Sequence, residues 1–148
     1  MSDIFSNFEP VDEVIAASGN YDNLKPFYAS THGASRLFTA IYQGRKVIIK
    51  TLKPEFAQDE QCRKNLKKEY DFTSQLDNRF IRKALGYETI QGLGECIIFE
   101  YIEGKSLAEH IRVGTLSEKE IKSLLVDLCP PVCRATRRQI PCLEFYIQ

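Results

Sequence analysis

Apolar and polar positions along this chain change period several times, and each change marks an element. Val47-Ile48-Ile49 is an unbroken β-branched run, the composition of a strand buried on both faces. Arg36–Tyr42 and Arg45–Leu52 read as adjacent antiparallel strands with Gln43-Gly44 as their turn, preceded by a shorter strand over Phe27–Ser30. Pro54 closes the third strand. From Gln61 to Leu76 the period lengthens: Cys62, Leu66, Glu69, Thr73 and Leu76 recur at spacings of 4, 3, 4 and 3, which predicts a helix. Two further strands are predicted near Lys83–Thr89 and Glu95–Tyr101, joined through Gly92-Leu93-Gly94. Two helices then begin at Ser106 and Ser117, each with a glutamate three positions later, Glu109 and Glu120, the signature of a capping box. In the second, Ile121, Leu124, Leu125 and Leu128 form an i, i+3, i+4, i+7 stripe, and Pro130-Pro131 is expected to stop the helix.

Two charged residues interrupt this pattern where it predicts burial. Lys50 ends the β-branched run, and Glu69 follows 19 positions later on the apolar face of the predicted helix. A carboxylate on an inward face needs a partner, because an unpaired buried charge is expensive. Lys50 is the best candidate, and a lysine held by a glutamate can present its ammonium to a polyphosphate. The plain alternative is a pair of solvated surface charges.

Composition narrows the choices further. At 148 residues the chain is of one-domain size, and 43% hydrophobic content suits a folded protein. Twenty basic and twenty acidic residues cancel, so no bulk field points to nucleic acid or to a membrane surface. No apolar run approaches spanning length, and Met1-Ser2-Asp3-Ile4-Phe5 lacks the pattern of a secretory signal. Five cysteines without a C-x-x-C or a convincing zinc spacing in Cys129, Cys133 and Cys142 read as free thiols in a reducing cytoplasm. The three arginines Arg134, Arg137 and Arg138 have no interleaved aromatic residues, so they make a weak nucleic-acid patch.

The order of these elements resembles the small, ATP-binding lobe of a protein kinase. Val47-Ile48-Ile49-Lys50 is similar to the third-strand Val-Ala-Ile-Lys motif of that family, and Glu69 falls where its C-helix glutamate stands. Leu76-Asp77-Asn78-Arg79-Phe80-Ile81-Arg82 is similar to the exit from the C helix. Cys96 to Leu107, through Phe99-Glu100-Tyr101-Ile102-Glu103-Gly104, is similar to the fifth strand, the hinge and the start of the D helix. The resemblance covers about Leu24 to Cys129. It implies that Lys50 contacts the α- and β-phosphates of ATP with Glu69 orienting it. It further implies that the Glu100 carbonyl and the Ile102 N–H meet the adenine edge, that Phe99 is the gatekeeper, and that Leu37 and Ile48 form the roof over the ring.

Departures from the family pattern lower the expected activity. Ser30, His32 and Ser35 stand where the family has its three glycines, and Gly33 survives off those positions. Backbone N–H groups reach phosphate oxygens best without a Cβ in the way. The serines, Ser35 among them, can still hydrogen-bond a phosphate, and His32 is an alternative cation; an ordinary polar turn is the competing reading. Ile48 replaces the small alanine usual in the roof, which narrows or shifts the pocket. No aspartate follows Asp127, and neither a His-Arg-Asp nor an Asp-Phe-Gly motif occurs; Asp71-Phe72-Thr73 is a chance partial match. No catalytic residue and no metal ligand are assigned. ATP binding is expected to be weak, magnesium is not expected on this chain, and no significant turnover is expected from it alone.

The sequence thus reads as α+β: a protein-kinase-like small lobe with a five-stranded antiparallel sheet and a C helix, plus two helices from the start of the large lobe. Residues 1–23 read as an N-terminal arm, 24–129 as the kinase-like domain, and 130–148 as an irregular or disordered tail. Loss of the family pattern after Cys129 reads as a truncated or frame-shifted kinase gene. The functional rivals are a pseudokinase-type interaction module, a half-enzyme completed by another chain, and a fragment of an active serine/threonine or small-molecule kinase. Ile121, Leu124, Leu125 and Leu128 are the candidate surface for self-association or a protein partner.

Overall fold

The structure is a computed structural model that describes residues 20–29, 32–114 and 116–136, with 128–136 described by backbone alone. Residues 1–19 of the expected 1–23 arm, Ser30, the Leu128 side chain and the part of the expected 130–148 tail from 137 onward lie outside the described residues. The chain divides into two compact units. One holds the described residues up to Gln75 together with Lys83–Tyr101; the other holds Leu76–Arg82 and the described residues from Ile102 on.

The first unit is a five-stranded antiparallel sheet with one helix. Its strands are β1 (Tyr21–Ala29), β2 (Ser35–Tyr42), β3 (Arg45–Leu52), β4 (Ala84–Ile90) and β5 (Gly94–Glu100), and α1 spans Glu60–Thr73. The spatial order is β1-β2-β3-β5-β4, so the β-branched run of β3 lies in the middle. The β2–β3 hairpin turns on Gln43 and Gly44, with φ of 49° and 75°. Positive φ at both central residues is what a two-residue turn of the right twist requires. That turn sets a register without slippage from Tyr42↔Arg45 to Ser35↔Leu52.

β1 is longer than the sequence pattern predicts. It begins at Tyr21, within the stretch read as an arm, and contains Pro26 and two register shifts against β2. An edge strand accepts a proline and bulges because only one side of it must pair. The sheet curls enough for its outermost strands to meet: the Tyr21 hydroxyl of β1 donates to the Glu88 carboxylate of β4. Tyr21 and Leu24 of β1, Phe38 and Ala40 of β2, Val47 and Ile49 of β3, and Ile90, Cys96 and Ile98 of β4 and β5 fill the concave side as one cluster.

The opposite face carries Leu37, Ile48, Leu52, Ile97 and Phe99, and α1 packs against it through Leu66, with Cys62 and Tyr70 half-buried beside it. The Asp59 side chain caps α1 by accepting from the Cys62 N–H at 2.8 Å, and this bond holds its carboxyl below the usual range. The helix ends at Thr73 rather than near Leu76. There the Thr73 and Ser74 hydroxyls bond back to the Glu69 and Asp71 carbonyls, competition that weakens a last helical turn.

In the second unit, α2 (Leu107–Val113) and α3 (Glu118–Thr136) follow. Both predicted capping boxes are present: Glu109 N–H to Ser106 Oγ with Ser106 N–H to Glu109, and the same exchange between Ser117 and Glu120. The expected stop at Pro130-Pro131 is not where α3 ends, because the helix runs on to Thr136. Proline removes an N–H and crowds the carbonyl four residues back, yet its fixed φ is helical, so the backbone can continue with two ladder bonds missing. Cys62 and Cys96 are free thiols.

Candidate functional site

The middle of the sheet assembles the residues that stood out in the sequence. β3 delivers Lys50 to the α1 face because side chains alternate along a strand. Its neighbours Ile48 and Leu52 share that face, while Val47 and Ile49 point into the concave cluster. α1 delivers Glu69 one turn after Leu66, the residue that anchors the helix on the sheet. The Lys50 Nζ meets both carboxylate oxygens of Glu69 at 2.8 Å.

The environment makes this more than a surface ion pair. The Lys50 side chain is 11% exposed and that of Glu69 23%. The lysine stem runs through apolar surroundings, in register with Leu37 on one side and Ile97 on the other. A charge taken this far from water needs the full complement of its partner's oxygens, and bidentate pairing supplies it.

Ile48 lies two residues before Lys50, opposite Thr39 on β2 and Phe99 on β5. Leu37, Ile48 and Phe99 are all buried, Ile48 to 2% exposure. They belong to one buried apolar cluster on the sheet face that carries Lys50. Glu100 follows Phe99 at the end of β5; its N–H donates to the Lys83 carbonyl at 3.1 Å, and its carboxylate accepts from the Lys83 N–H at 2.8 Å. That double tie fixes the end of the strand. Gly33 sits half-buried in the β1–β2 connection, and His32 is exposed. Ser35 is not in that connection: it opens β2, paired with Leu52. Ile102 is exposed and falls in the second unit.

The five-stranded antiparallel sheet with its packed helix is an arrangement found in known structures. The kinase domain of PknI from Mycobacterium tuberculosis superposes with a TM-score of 0.63 over 84% of this chain and 52% of that one, at 16% identity. This chain has the fold of a protein-kinase small lobe. A second kinase-like likeness is to Rad53 residues 1–466, solved in complex with AMP-PNP: TM-score 0.56, 14% identity, 91% of this chain and 32% of that one. Among curated proteins, the serine/threonine-protein kinase PrkC of Bacillus subtilis is 29% identical over 129 residues. That match takes in 83% of this chain and 19% of PrkC, so the chain spans about a fifth of its curated relative and about half of the PknI domain. No protein-family model matches the chain.

Within the kinase-like lobe, spacing alone does not single out three residues that tie the site together. The Arg63 Nε of α1 donates to Glu95 Oε2 of β5 at 2.6 Å. The Thr51 hydroxyl, beside Lys50 on β3, lies 2.8 Å from the Leu93 carbonyl and 3.0 Å from that of Glu95. The only hint in the sequence is a polar flank on the predicted helix, Arg63, Lys67 and Tyr70 at i, i+4 and i+7. Among the described residues, no group of three or more His, Cys, Asp or Glu is disposed to hold a metal ion. Nor is any helix there long and apolar enough to cross a membrane.

Proposed function

We propose that this chain is the nucleotide-binding part of a protein-kinase-like domain, and that its own residues bind ATP weakly without transferring a phosphoryl group. The bidentate Lys50–Glu69 pair carries the reading. A lysine needing no more than a structural partner gains nothing from being mounted mid-sheet at the end of an apolar surface. One that presents an ammonium to phosphate oxygens needs that mounting, with the glutamate holding its direction. In this reading Leu37 and Ile48 cover the adenine, Phe99 stands behind it, and the Glu100 carbonyl and Ile102 N–H meet its edge. Gly33 and Ser35 border the phosphates.

Two features of the sequence make the affinity low. Ile48 adds volume above the ring where the family pattern has alanine, and polar residues replace the loop glycines. Phosphoryl transfer depends on a catalytic aspartate and on magnesium ligands. No aspartate follows Asp127 in these 148 residues, so turnover requires those groups from outside this sequence. A calorimetric titration of the full chain with ATP, with and without magnesium, tests the proposal. Weak binding that is lost in Lys50→Met and changes little with magnesium is the expected result. Tight magnesium-dependent binding, or no difference between the two proteins, refutes it.

A second reading, a pseudokinase-type interaction module, is favoured by the exposed apolar residues of α3. Ile121 is 46% exposed, Leu125 57% and Val126 72%, while Leu124 is half-buried. Self-association or a protein partner on this face does not depend on Lys50, so the Lys50→Met variant separates the two readings. The similarity to PrkC favours, as a third possibility, a serine/threonine kinase from which this chain is a part.

A further inference from the structure

α1 buries few side chains fully: Leu66 and Thr73. Cys62 and Tyr70 are half-buried beside them, and contacts confined to one side of a helix resist its lifting away better than its rolling about its own axis. Yet the site tolerates little roll. Both Lys50–Glu69 contacts are 2.8 Å, and such bonds weaken beyond about 3.2 Å. Something besides the apolar anchor must set the rotation of α1.

The flank of the helix supplies it. Arg63 reaches Glu95 on β5 at 2.6 Å. One turn further on, the Lys67 ammonium sits 4.7 Å from the Tyr87 ring of β4 and 4.8 Å from that of Tyr70. Arg63 and Lys67 lie on a line displaced around the helix from Leu66 and Glu69, so ties there oppose roll. Glu95 is itself on a firm mount. The buried Thr51 hydroxyl shares its proton between the Leu93 carbonyl at 2.8 Å and the Glu95 carbonyl at 3.0 Å, and Thr51 is the residue next to Lys50. The same strand therefore holds α1 twice, directly through Lys50–Glu69 and indirectly through Thr51, Glu95 and Arg63.

We infer that Arg63 and Glu95 are positioning residues for the Lys50–Glu69 pair, their contact keeping α1 in the rotation that lays the Glu69 carboxylate on the Lys50 ammonium. The consequence for nucleotide affinity rests on the function proposed above; the consequence for the pair itself does not.

The test reads the pair directly. Ammonium protons of exposed lysines exchange with water too fast to be observed, whereas a buried ammonium held by two oxygens retains a 15N-edited signal. In the 15N-labelled full chain that signal is assigned to Lys50 by its loss in Lys50→Met. Arg63→Ala and Glu95→Gln are each expected to remove it while the amide resonances of β2, β3 and β5 stay in place. The exchanged pair Arg63→Glu with Glu95→Arg is expected to restore it. ATP affinity is expected to fall about fivefold in Arg63→Ala and to recover in the exchanged variant. A Lys50 signal unchanged in both single variants overturns the inference. So does collapse of the sheet amides in both, since the contact would then hold up the fold rather than orient the helix. If the Lys50 signal responds as expected but ATP binds to none of the proteins, the positioning role stands and the proposed function falls.

Discussion

Ile48 faces Phe99 across the β3–β5 ladder, on the same side of the sheet as Lys50 and two residues before it. The residue proposed as the roof is therefore also part of the core, since Ile48 is 2% exposed and packs in the cluster that receives α1. Ile48→Ala is expected to tighten ATP binding by clearing the space over the ring. It is also expected to cost about 2–5 kcal/mol of stability, the range for truncating a buried isoleucine. Ile48→Val should cost only about 0.5–1.5 kcal/mol and leave affinity nearly unchanged. Denaturant unfolding alongside calorimetry checks both; an Ile48→Ala protein as stable as the parent means that the roof does not pack as described.

The two halves of the Lys50–Glu69 pair differ in their access to water, at 11% and 23% side-chain exposure. Removing one partner of a buried pair costs more than removing one of a surface pair, because the remaining charge is stranded. Glu69→Ala strands the better-buried ammonium. Lys50→Met leaves the wetter carboxylate and keeps the apolar stem. Glu69→Ala is thus expected to lose about 2–3 kcal/mol and Lys50→Met about 1–2 kcal/mol. Equal losses from thermal unfolding of the two variants would contradict the asymmetry.

Acid should reveal the Arg63–Glu95 contact. The Arg63 guanidinium holds the Glu95 carboxyl below the usual glutamate range. A carboxyl whose pKa is lower in the folded state contributes stability that is present above its unfolded pKa, about 4.3. That contribution is lost as pH falls through the lower folded value. The caps Asp59, Glu109 and Glu120 are shifted the same way, so the parent loses stability at acid pH for several reasons. The difference between parent and Arg63→Ala reports chiefly on Glu95, the largest of Arg63's interactions. It is expected to be largest near neutral pH and to shrink as pH falls below about 4. Melting temperatures of the two proteins from pH 7 to pH 3 test this, and a gap that stays constant sinks it.

Surface apolar residues on α3 should govern solubility. Ile121 and Leu125 are the exposed members of the predicted stripe and Leu124 is half-buried, so the informative substitutions are Ile121→Lys and Leu125→Lys rather than changes at Leu124. Each is expected to alter stability by no more than about 0.5 kcal/mol, as exposed positions do. Together they are expected to shift the protein toward monomer in sedimentation velocity. An unmodified protein that is already monomeric at high concentration would remove the case for self-association.

Much of the architecture was legible because local rules agreed with one another. The β-branched run, the Gln43-Gly44 turn and the helical spacing around Glu69 each pointed to the element that formed. The pairing of Lys50 with Glu69 followed from a single physical constraint, that a charge on an inward face must be met. The two capping boxes on α2 and α3 were readable for the same reason: their bonds lie within one turn of chain, so four residues contain the whole argument.

What the sequence could not decide were relations that depend on where distant segments end up. The chain alone determined the order and type of the main strands and helices, and that Lys50 and Glu69 would meet. Tertiary structure decided that β1 starts as early as Tyr21, because a proline and bulges are tolerable only once that strand is known to be an edge. The end of α1 at Thr73 and the run of α3 past Pro130-Pro131 are local balances that hydrophobic spacing does not weigh: hydroxyls bond back to helical carbonyls in the first, and proline's fixed φ is helical in the second. Tertiary structure also decided that Arg63 meets Glu95, 32 positions away. Each of those residues is an ordinary surface charge by itself. Their contact arises only when the β4–β5 turn, held by Thr51, is brought beside the flank of α1, and no periodicity within either element encodes that approach.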